Sequence, residues 1–346
     1  MLDIKWVREH PEELKAAVEK RGMAFDVGTL LKLDEERRRK IKETDDLRAR
    51  QNEFAEAIVK LAGEEREKKI AESKENKARI GEAGKELERV EAEFAALLGQ
   101  LPNIPDPETP VGRGERDNKV LREVGEKPQF DFQPKDHVEL GEALGILDFD
   151  RAAKTSGSGF TYLKNEGVLL ELALVRYALD FLRGKGFALW LTPDLARRRF
   201  YLGTGYQPRG EEAQTYEIAE SDLGLIATAE VALAGLHADE ILDAARLPLR
   251  YAGYSHCFRQ EAGAYGKYSR GLYRMHQFTK VEMFVYATPA ESKRMHLELL
   301  ALEEELWQGL GIPYRVLEMC TGDLGAQASR KFDLEAWMPG RGDWGE

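Results

Sequence analysis

Cysteine is nearly absent: Cys257 and Cys320 are the only two in 346 residues. That excludes a disulfide scaffold and a cysteine-rich zinc finger, and it points to a reducing, cytoplasmic setting. Long apolar runs are missing as well. The most apolar stretch, Val168 to Leu182, is interrupted at helical spacing by Glu171, Arg176 and Asp180. It is shorter than the ~20 apolar residues a membrane span needs. The opening Met-Leu-Asp-Ile-Lys-Trp carries no signal-like apolar segment. No stretch matches the P-loop pattern, and no strand leads into a dinucleotide fingerprint; Gly203-Thr-Gly205 is an isolated fragment. The six histidines are scattered without zinc-ligand spacing. A Ser/His/Asp hydrolase has no nucleophile elbow here.

What is present is charge and a sizeable apolar fraction. Hydrophobic residues make up 42 %, which excludes disorder, and charged residues make up 33 %. The usual charged share is ~25 %, so some segment must be unusually charged. Net charge is −11, which taken globally argues against a nucleic-acid binder. It is unevenly spread. Residues 1–100 hold 22 Lys/Arg and 24 Asp/Glu, a net of −2, and contain Arg37-Arg38-Arg39-Lys40 followed by Lys42. Such a local patch can still meet nucleic acid; a solvated helix face is the alternative.

Length predicts about two domains of roughly 150 residues each. Residues 1–100 read as helix. Pro11 starts one helix, with Val7, Leu14 and Val18 on an apolar face and a stop at Arg21-Gly22. A longer helix begins near Leu30, with Thr44, Leu47, Gln51, Phe54, Ile58 and Leu61 alternating at spacings of three and four. Gly63 lies in the turn. A second helix runs to Leu98, with a seam through Lys77, Ile80, Gly84, Leu87, Glu91, Phe94 and Leu98. The pair reads as a projecting antiparallel hairpin, each arm roughly 45 Å long at ~1.5 Å per residue. A bundle arm or a dimerisation coil is the alternative. Four prolines between Gly99 and Gly114 end the helical part, and residues 101–127 read as a Pro/Gly-rich linker.

Residues 128–346 change texture. The pattern predicts a helix over 167–183, strands over 187–192 and 214–219, and a helix over 228–237. Long strands are predicted over 247–259 and 273–286, a helix over 290–309, and strands over 314–319 and 331–338. The absence of regular βαβ alternation predicts an α+β domain with a mostly antiparallel sheet flanked by helices.

Two constellations carry chemistry. The run from Phe258 to Glu282 reads as strand, Gly-rich loop and strand, with Arg259, Lys267, Arg270 and Arg274 along it and Glu261 and Glu282 on opposite strands. Arginine forks suit phosphate, one acid suits a base amino group and the other a ligand ammonium. A surface hairpin of alternating charges is the alternative. In Ile226-Ala-Thr228-Ala-Glu230, a hydroxyl and a carboxylate near a helix start suit a small amino acid, or simply cap the helix.

Thr228-Ala-Glu230, Phe258-Arg-Gln-Glu-Ala-Gly and Arg274-Met-His-Gln-Phe-Thr-Lys-Val-Glu282, in that order after a helical hairpin and a Pro-rich linker, resemble the bacterial-type seryl-tRNA synthetases of class II. The resemblance covers essentially the whole chain. It implies an antiparallel catalytic sheet with flanking helices in residues 128–346 and a tRNA-reading coiled-coil arm in residues 1–100. It implies a two-step reaction in a homodimer: ATP and L-serine, with Mg²⁺, give seryl-adenylate, and the seryl group then moves to the 3′ end of tRNA(Ser), and of tRNA(Sec) too. Carried over, Arg259 holds the α-phosphate and Glu261 reads the adenine amino group. Gln260, Arg274, Met275, His276, Gln277 and Phe278 line the ATP site, Phe278 stacking on adenine. Thr228, Ala229, Glu230 and Glu282 form the serine pocket. Pro193 resembles the proline of the first class II signature, at the dimer interface.

The family pattern continues past the last residue. Glu346 resembles the first residue of an ATP-binding tetrapeptide, and the third class II signature would follow it. The expectation is a fragment with an unpaired sheet edge that aggregates or melts early. Competing expectations are a non-catalytic tRNA-binding or regulatory homologue, and a ligase that loads a carrier protein, which would lack such an arm.

Overall fold

The computed structural model describes residues 2–206, 214–261 and 270–345. They form two compact units, Met1–Asp117 with Cys320–Arg330, and Asn118–Met319 with Lys331–Glu346.

The first unit is helical. α1 (Ile4–Glu9) and α2 (Pro11–Lys20) are short; Asp3 caps the first and Pro11 stands at the first turn of the second, where its missing N–H costs little. α3 (Val27–Lys60) starts at Asp26, whose carboxylate accepts from the amides of Gly28 and Thr29. α4 (Gly63–Gly99) returns antiparallel. Val7, Leu14, Val18, Val27, Leu30, Phe94 and Leu101 close a core at the base of the hairpin. At 34 and 37 residues the arms span roughly 50 Å or more at ~1.5 Å per residue.

The α3 seam follows the expected spacing, with Thr44, Leu47 and Phe54 buried. The α4 seam lies one residue away from expectation at alternate positions. Asn76, Ala83 and Val90 are buried, whereas Lys77 is exposed and Gly84 and Glu91 are half-buried. Ile80, Leu87 and Phe94 belong to both readings, so apolar spacing alone does not separate them. Asn76 decides it: its Nδ2 donates to the Leu47 carbonyl and to Gln51 Oε1, each at 2.9 Å, a polar layer inside the seam. The basic cluster is largely engaged locally. Arg37 sits over the Phe94 ring at 5.0 Å, Arg38 pairs with Asp34 at 3.1 Å and Lys40 with Glu43 at 3.2 Å. Arg39 and Lys42 are exposed.

The late segment Cys320–Arg330 belongs to this unit. Asn103 N donates to Ala326 O at 2.7 Å and Asp106 N to Ser329 O at 2.8 Å. Arg21, 5 % exposed, donates to the carbonyls of Gly325 and Ala328. Burial pulls its pKa down, which fits a guanidinium held by backbone oxygens without a carboxylate.

The second unit is α+β. β1 (Lys119–Val124) lies within the stretch read as linker and pairs with a late strand. Then come α5 (His137–Ala143), β2 (Leu147–Asp148), α6 (Phe149–Ser156), β3 (Tyr162–Leu163) and α7 (Glu166–Gly184). β4 (Ala188–Leu191), β5 (Leu195–Arg197), α8 (Arg198–Gly203), β6 (Leu223–Leu225) and α9 (Ala229–Gly235) follow. β7 (Leu249–Phe258), β8 (Gln277–Tyr286), α10 (Pro289–Gly309), β9 (Tyr314–Glu318), β10 (Phe332–Met338) and β11 (Asp343–Gly345) complete the unit. One sheet has the order β1-β9-β10-β11, all antiparallel; a second runs β4-β7-β8, with β4 parallel to β7 and β8 antiparallel to it. Leu182, Phe187, Ala252 and Leu302 pack α7 and α10 onto the second sheet.

Three expectations need correction. Residues 214–219 form no strand: Gln214 O and Thr215 O accept from Gln260, Tyr216 O accepts from Leu225 N, and the single bridge is Glu217 to Gly224. Gln260 takes two of these carbonyls, and only two bonds, Leu225 N to Tyr216 O and Ile218 N to Leu223 O, reach β6, too few for a ladder. β8 starts at Gln277, not at 273, because Leu272 N donates to His137 Nε2 and His276 N to Gly159 O, bending the chain out of the ladder. Glu261 is not on a strand; it lies beyond β7 with φ +47°. The helix over 166–184 forms as expected, yet Leu169, Leu170 and Leu172 on it are more than half exposed.

Candidate functional site

The site begins with a glycine. The β7–β8 ladder sets Gly253 opposite Glu282. A Cβ on Gly253 would stand 2.8 Å from Leu233 Cδ1 and 2.9 Å from Ala229 Cβ, so the missing side chain is what lets α9 lie against β7. That approach delivers the start of α9 to Glu282. Thr228, fully buried, donates from Oγ1 to Glu282 Oε2 at 2.7 Å. The same oxygen accepts from Glu230 N at 3.3 Å, so Thr228 is a helix cap and a site residue at once. Ala229, fully buried, fills the contact with Gly253.

Charge gathers around this point. Lys280, two residues before Glu282 and on the same face of β8, places Nζ 2.6 Å from Glu282 Oε2 and donates to Thr228 Oγ1 at 3.4 Å. Tyr206 donates its hydroxyl proton to Glu230 Oε2 at 3.3 Å. Burial, and then the neighbouring Glu282, push the Glu230 carboxyl up; burial and Glu230 push the Tyr206 phenol up. Beneath Glu282 a cavity of about 410 Å³ is lined by Lys280, His296, Glu303 and Trp307 among others. Burial there, and the charge of Glu282, push Glu303 up to about 7.

Arg259 stands just past the end of β7. Its guanidinium carbon lies 5.2 Å from the centre of the Phe278 ring, and its Nε donates to Ala227 O at 3.4 Å. Its backbone is held twice by His276: Arg259 N donates to His276 O at 3.0 Å, and His276 Nδ1 donates to Arg259 O at 2.9 Å. Gln260 clamps 214–215 with its amide and its side chain. Glu261 accepts from Arg274 Nη1 at 2.9 Å.

The structure therefore brings together Thr228, Glu230, Arg259 and Glu282, with Phe278 and the Glu261–Arg274 pair at the rim. Gln260 and His276 spend their polar groups on backbone, Met275 is 6 % exposed, and Gln277 is exposed at the strand end. Pro193 follows β4 in a turn where Thr192 N donates to Tyr254 O and Ile226 N to Asp194 O, beside exposed Leu189, Trp190 and Leu191. Lys267 and Glu346 lie outside the described residues. Sequence reasoning missed Lys280, Tyr206 and Glu303. Strand alternation from Glu282 would have found Lys280; nothing local marks the other two.

Among the described residues no group of three or more His, Cys, Asp or Glu side chains is arranged to hold a metal ion. The chain offers no preformed cage for Mg²⁺ there, and nucleotide phosphates and water would have to supply most of its ligands.

Comparison with known proteins identifies the family. Residues 1–105 match the seryl-tRNA synthetase N-terminal domain, and residues 215–345 match the class II tRNA synthetase core domain shared by the G, H, P, S and T enzymes. The serine–tRNA ligase of Rubrobacter xylanophilus is 55 % identical over 100 % of this chain and 82 % of its own length. That of Treponema denticola is 46 % identical, over 100 % of this chain and 83 % of its own length. The crystal structure of seryl-tRNA synthetase from Pyrococcus horikoshii, complexed with ATP, superposes with a TM-score of 0.83 at 45 % identity, covering 100 % of this chain and 83 % of that one. The cytoplasmic serine–tRNA ligase of Naegleria fowleri, in complex with AMP, gives 0.79 at 31 % identity, covering 100 % and 82 %.

Proposed function

The chain belongs to the seryl-tRNA synthetase family, a family of ATP-dependent aminoacyl-tRNA ligases, and on that premise we propose that it joins L-serine to tRNA in two steps. In the first, a serine carboxylate oxygen attacks the α-phosphorus of ATP, the bond to the β-phosphate oxygen breaks, and pyrophosphate leaves. In the second, a hydroxyl at the tRNA 3′ end attacks the seryl carbonyl and AMP leaves. Neither step needs a strong protein base. The first needs in-line orientation and charge stabilisation at phosphorus, and the second needs orientation with stabilisation of the carbonyl oxygen and the departing phosphate.

One observation carries this reading: the Thr228–Glu282 hydrogen bond at 2.7 Å, with Glu230 behind it and Arg259 beyond. Two carboxylates and a hydroxyl suit a ligand that carries an ammonium and a hydroxyl. A site built to pair a substrate hydroxyl rejects the analogue lacking it, because its own polar groups are left unpaired. Arg259, turned against Phe278, suits the α-phosphate, with adenine on the ring and the Glu261–Arg274 pair at the base edge. Gln260, Met275, His276 and Gln277 hold that ATP site in shape. Mg²⁺ enters as the nucleotide's counterion.

The partners follow from the surfaces. The α3–α4 hairpin, long and densely charged, suits the backbone and shape of tRNA(Ser), and of tRNA(Sec) as a second substrate. We assign that role to residues 1–100, a linking role to 101–127 and the catalytic role to 128–346. The exposed apolar side of α7 and β4, next to Pro193, suits a homodimer. No helix among the described residues is long and apolar enough to cross a membrane, and we place the activity in the cytoplasm.

The test is serine-dependent ATP–pyrophosphate exchange, with alanine and threonine as controls. Exchange with serine alone supports the reading. Absence of exchange together with retained tRNA binding would refute it in favour of a non-catalytic RNA-binding homologue.

A further inference from the structure

The geometry points to Lys280 as a positioning residue that fixes which oxygen of Glu282 meets the amino-acid ammonium. Glu282 has two carboxylate oxygens. Oε2 accepts from Thr228 Oγ1 at 2.7 Å and lies 2.6 Å from Lys280 Nζ. Committed on both sides, that oxygen has little left for a ligand, and Oε1 becomes the acceptor that faces it. Thr228 alone cannot set this orientation. Its single hydroxyl proton goes to Glu282 while its oxygen caps α9 and accepts from Lys280 at 3.4 Å. The ammonium, with three donors, ties the hydroxyl and the carboxylate into one closed triangle.

Charge argues the same way. Glu282 faces Glu230 from α9 and Glu303 from α10, both half-buried and both feeling its charge. Like charges at this range swing a carboxylate away unless a cation holds it. Lys280 and Arg259 are the cations that draw Glu230 back, and Lys280 is the one bonded to Glu282. Arg259 is turned toward Phe278 and Ala227. Lys280, bonded to Glu282 and Thr228, therefore acts on serine through Glu282.

This inference rests on the serine reading above, and the experiment separates the two. Exchange kinetics are measured on the wild-type chain, Lys280→Met and Lys280→Arg, with thermal melting of each. The expected result for Lys280→Met is a serine KM raised on the order of tenfold to a hundredfold, the scale of a lost hydrogen bond to a charged group. The ATP KM should stay within about twofold, since no ATP contact is removed. Lys280→Arg restores most of the serine affinity. If Lys280→Met does not fold, Lys280→Gln carries the same test. Binding of a non-hydrolysable seryl-adenylate analogue, followed by calorimetry, gives a readout independent of turnover. A wild-type chain that neither exchanges nor binds the analogue overturns the serine reading and this inference with it. A wild-type chain that does either, with Lys280→Met matching it or losing only thermal stability, overturns the inference alone.

Discussion

Replacing Asn76 with leucine should make the arm more stable. Asn76 is 4 % exposed in the α4 seam. Its Nδ2 serves Leu47 O and Gln51 Oε1, but its Oδ1 is buried without a hydrogen-bond partner among the described residues. Losing two neutral hydrogen bonds costs about 1 kcal/mol each. Removing the orphaned oxygen returns about 1–3 kcal/mol. A buried leucine side chain contributes a further ~1.5–3 kcal/mol, less about 1–2 for fitting a larger group into the seam. Gln51 Nε2 keeps its bond to Ser73 Oγ at 2.8 Å, and Gln51 Oε1, which loses its Asn76 donor, belongs to a half-buried side chain that can turn to water. The net is a stabilisation of about 1 kcal/mol. The assay is native-state hydrogen exchange of the amides around Leu47 and Asn76, which reports local opening without mixing in the second unit. Slower exchange by roughly fivefold is expected, since ~1.4 kcal/mol is tenfold. Equal or faster exchange in Asn76→Leu would refute the argument, and would mean that the polar layer holds the arm together as well as setting its register.

Gly253→Ala should push α9 off β7, because the new Cβ meets Leu233 and Ala229 under 3 Å. We expect a loss of about 1–3 kcal/mol and a raised serine KM; unchanged kinetics would show that α9 does not place Thr228. Leu14→Ala, at a fully buried position of the helical base, should cost about 2–5 kcal/mol in urea unfolding followed by helical circular dichroism. Glu303 is raised from 4.5 to about 7, so the folded chain holds its proton more tightly than the unfolded one. Its contribution favours folding most below about pH 4.5 and is lost as pH rises toward about 7. Melting temperatures across that window should fall with pH in the wild type and less in Glu303→Gln; parallel curves would show that Glu303 is not so perturbed.

Much of this was legible in the sequence because it rests on spacing. The three-four alternation through Leu47 and Phe54 announces a hairpin, and the long strand-like runs over 247–259 and 273–286 announce β7 and β8. Thr228, Arg259 and Glu282 were readable as types suited to their neighbours. Their meeting was not, because it depends on Gly253 admitting α9, a contact between residues far apart in the chain. The α4 seam was misread by one position because Ile80, Leu87 and Phe94 satisfy both registers, and a buried asparagine breaks the tie. The strand expected over 214–219 failed because its residue pattern is local, whereas its hydrogen bonds are split between Gln260 and the short strand β6. Lys280 reads as one more strand lysine until Glu282 Oε2 is seen beside it.

The return of Cys320–Arg330 to the helical unit has a consequence for how that unit can be handled. The chain passes between the units three times, after Asp117, after Met319 and after Arg330. A gene cut after Asp117 would therefore yield helices without the eleventh-hour strip that completes them. Arg21 would lose the carbonyls of Gly325 and Ala328 that accept its hydrogen bonds. Thr321 would no longer bond Lys20 O at 2.6 Å. The arm is thus not a detachable cassette: grafting it onto another protein requires carrying a second, non-contiguous piece, and a protease cut between 319 and 331 would injure the first hundred residues as surely as a cut among them.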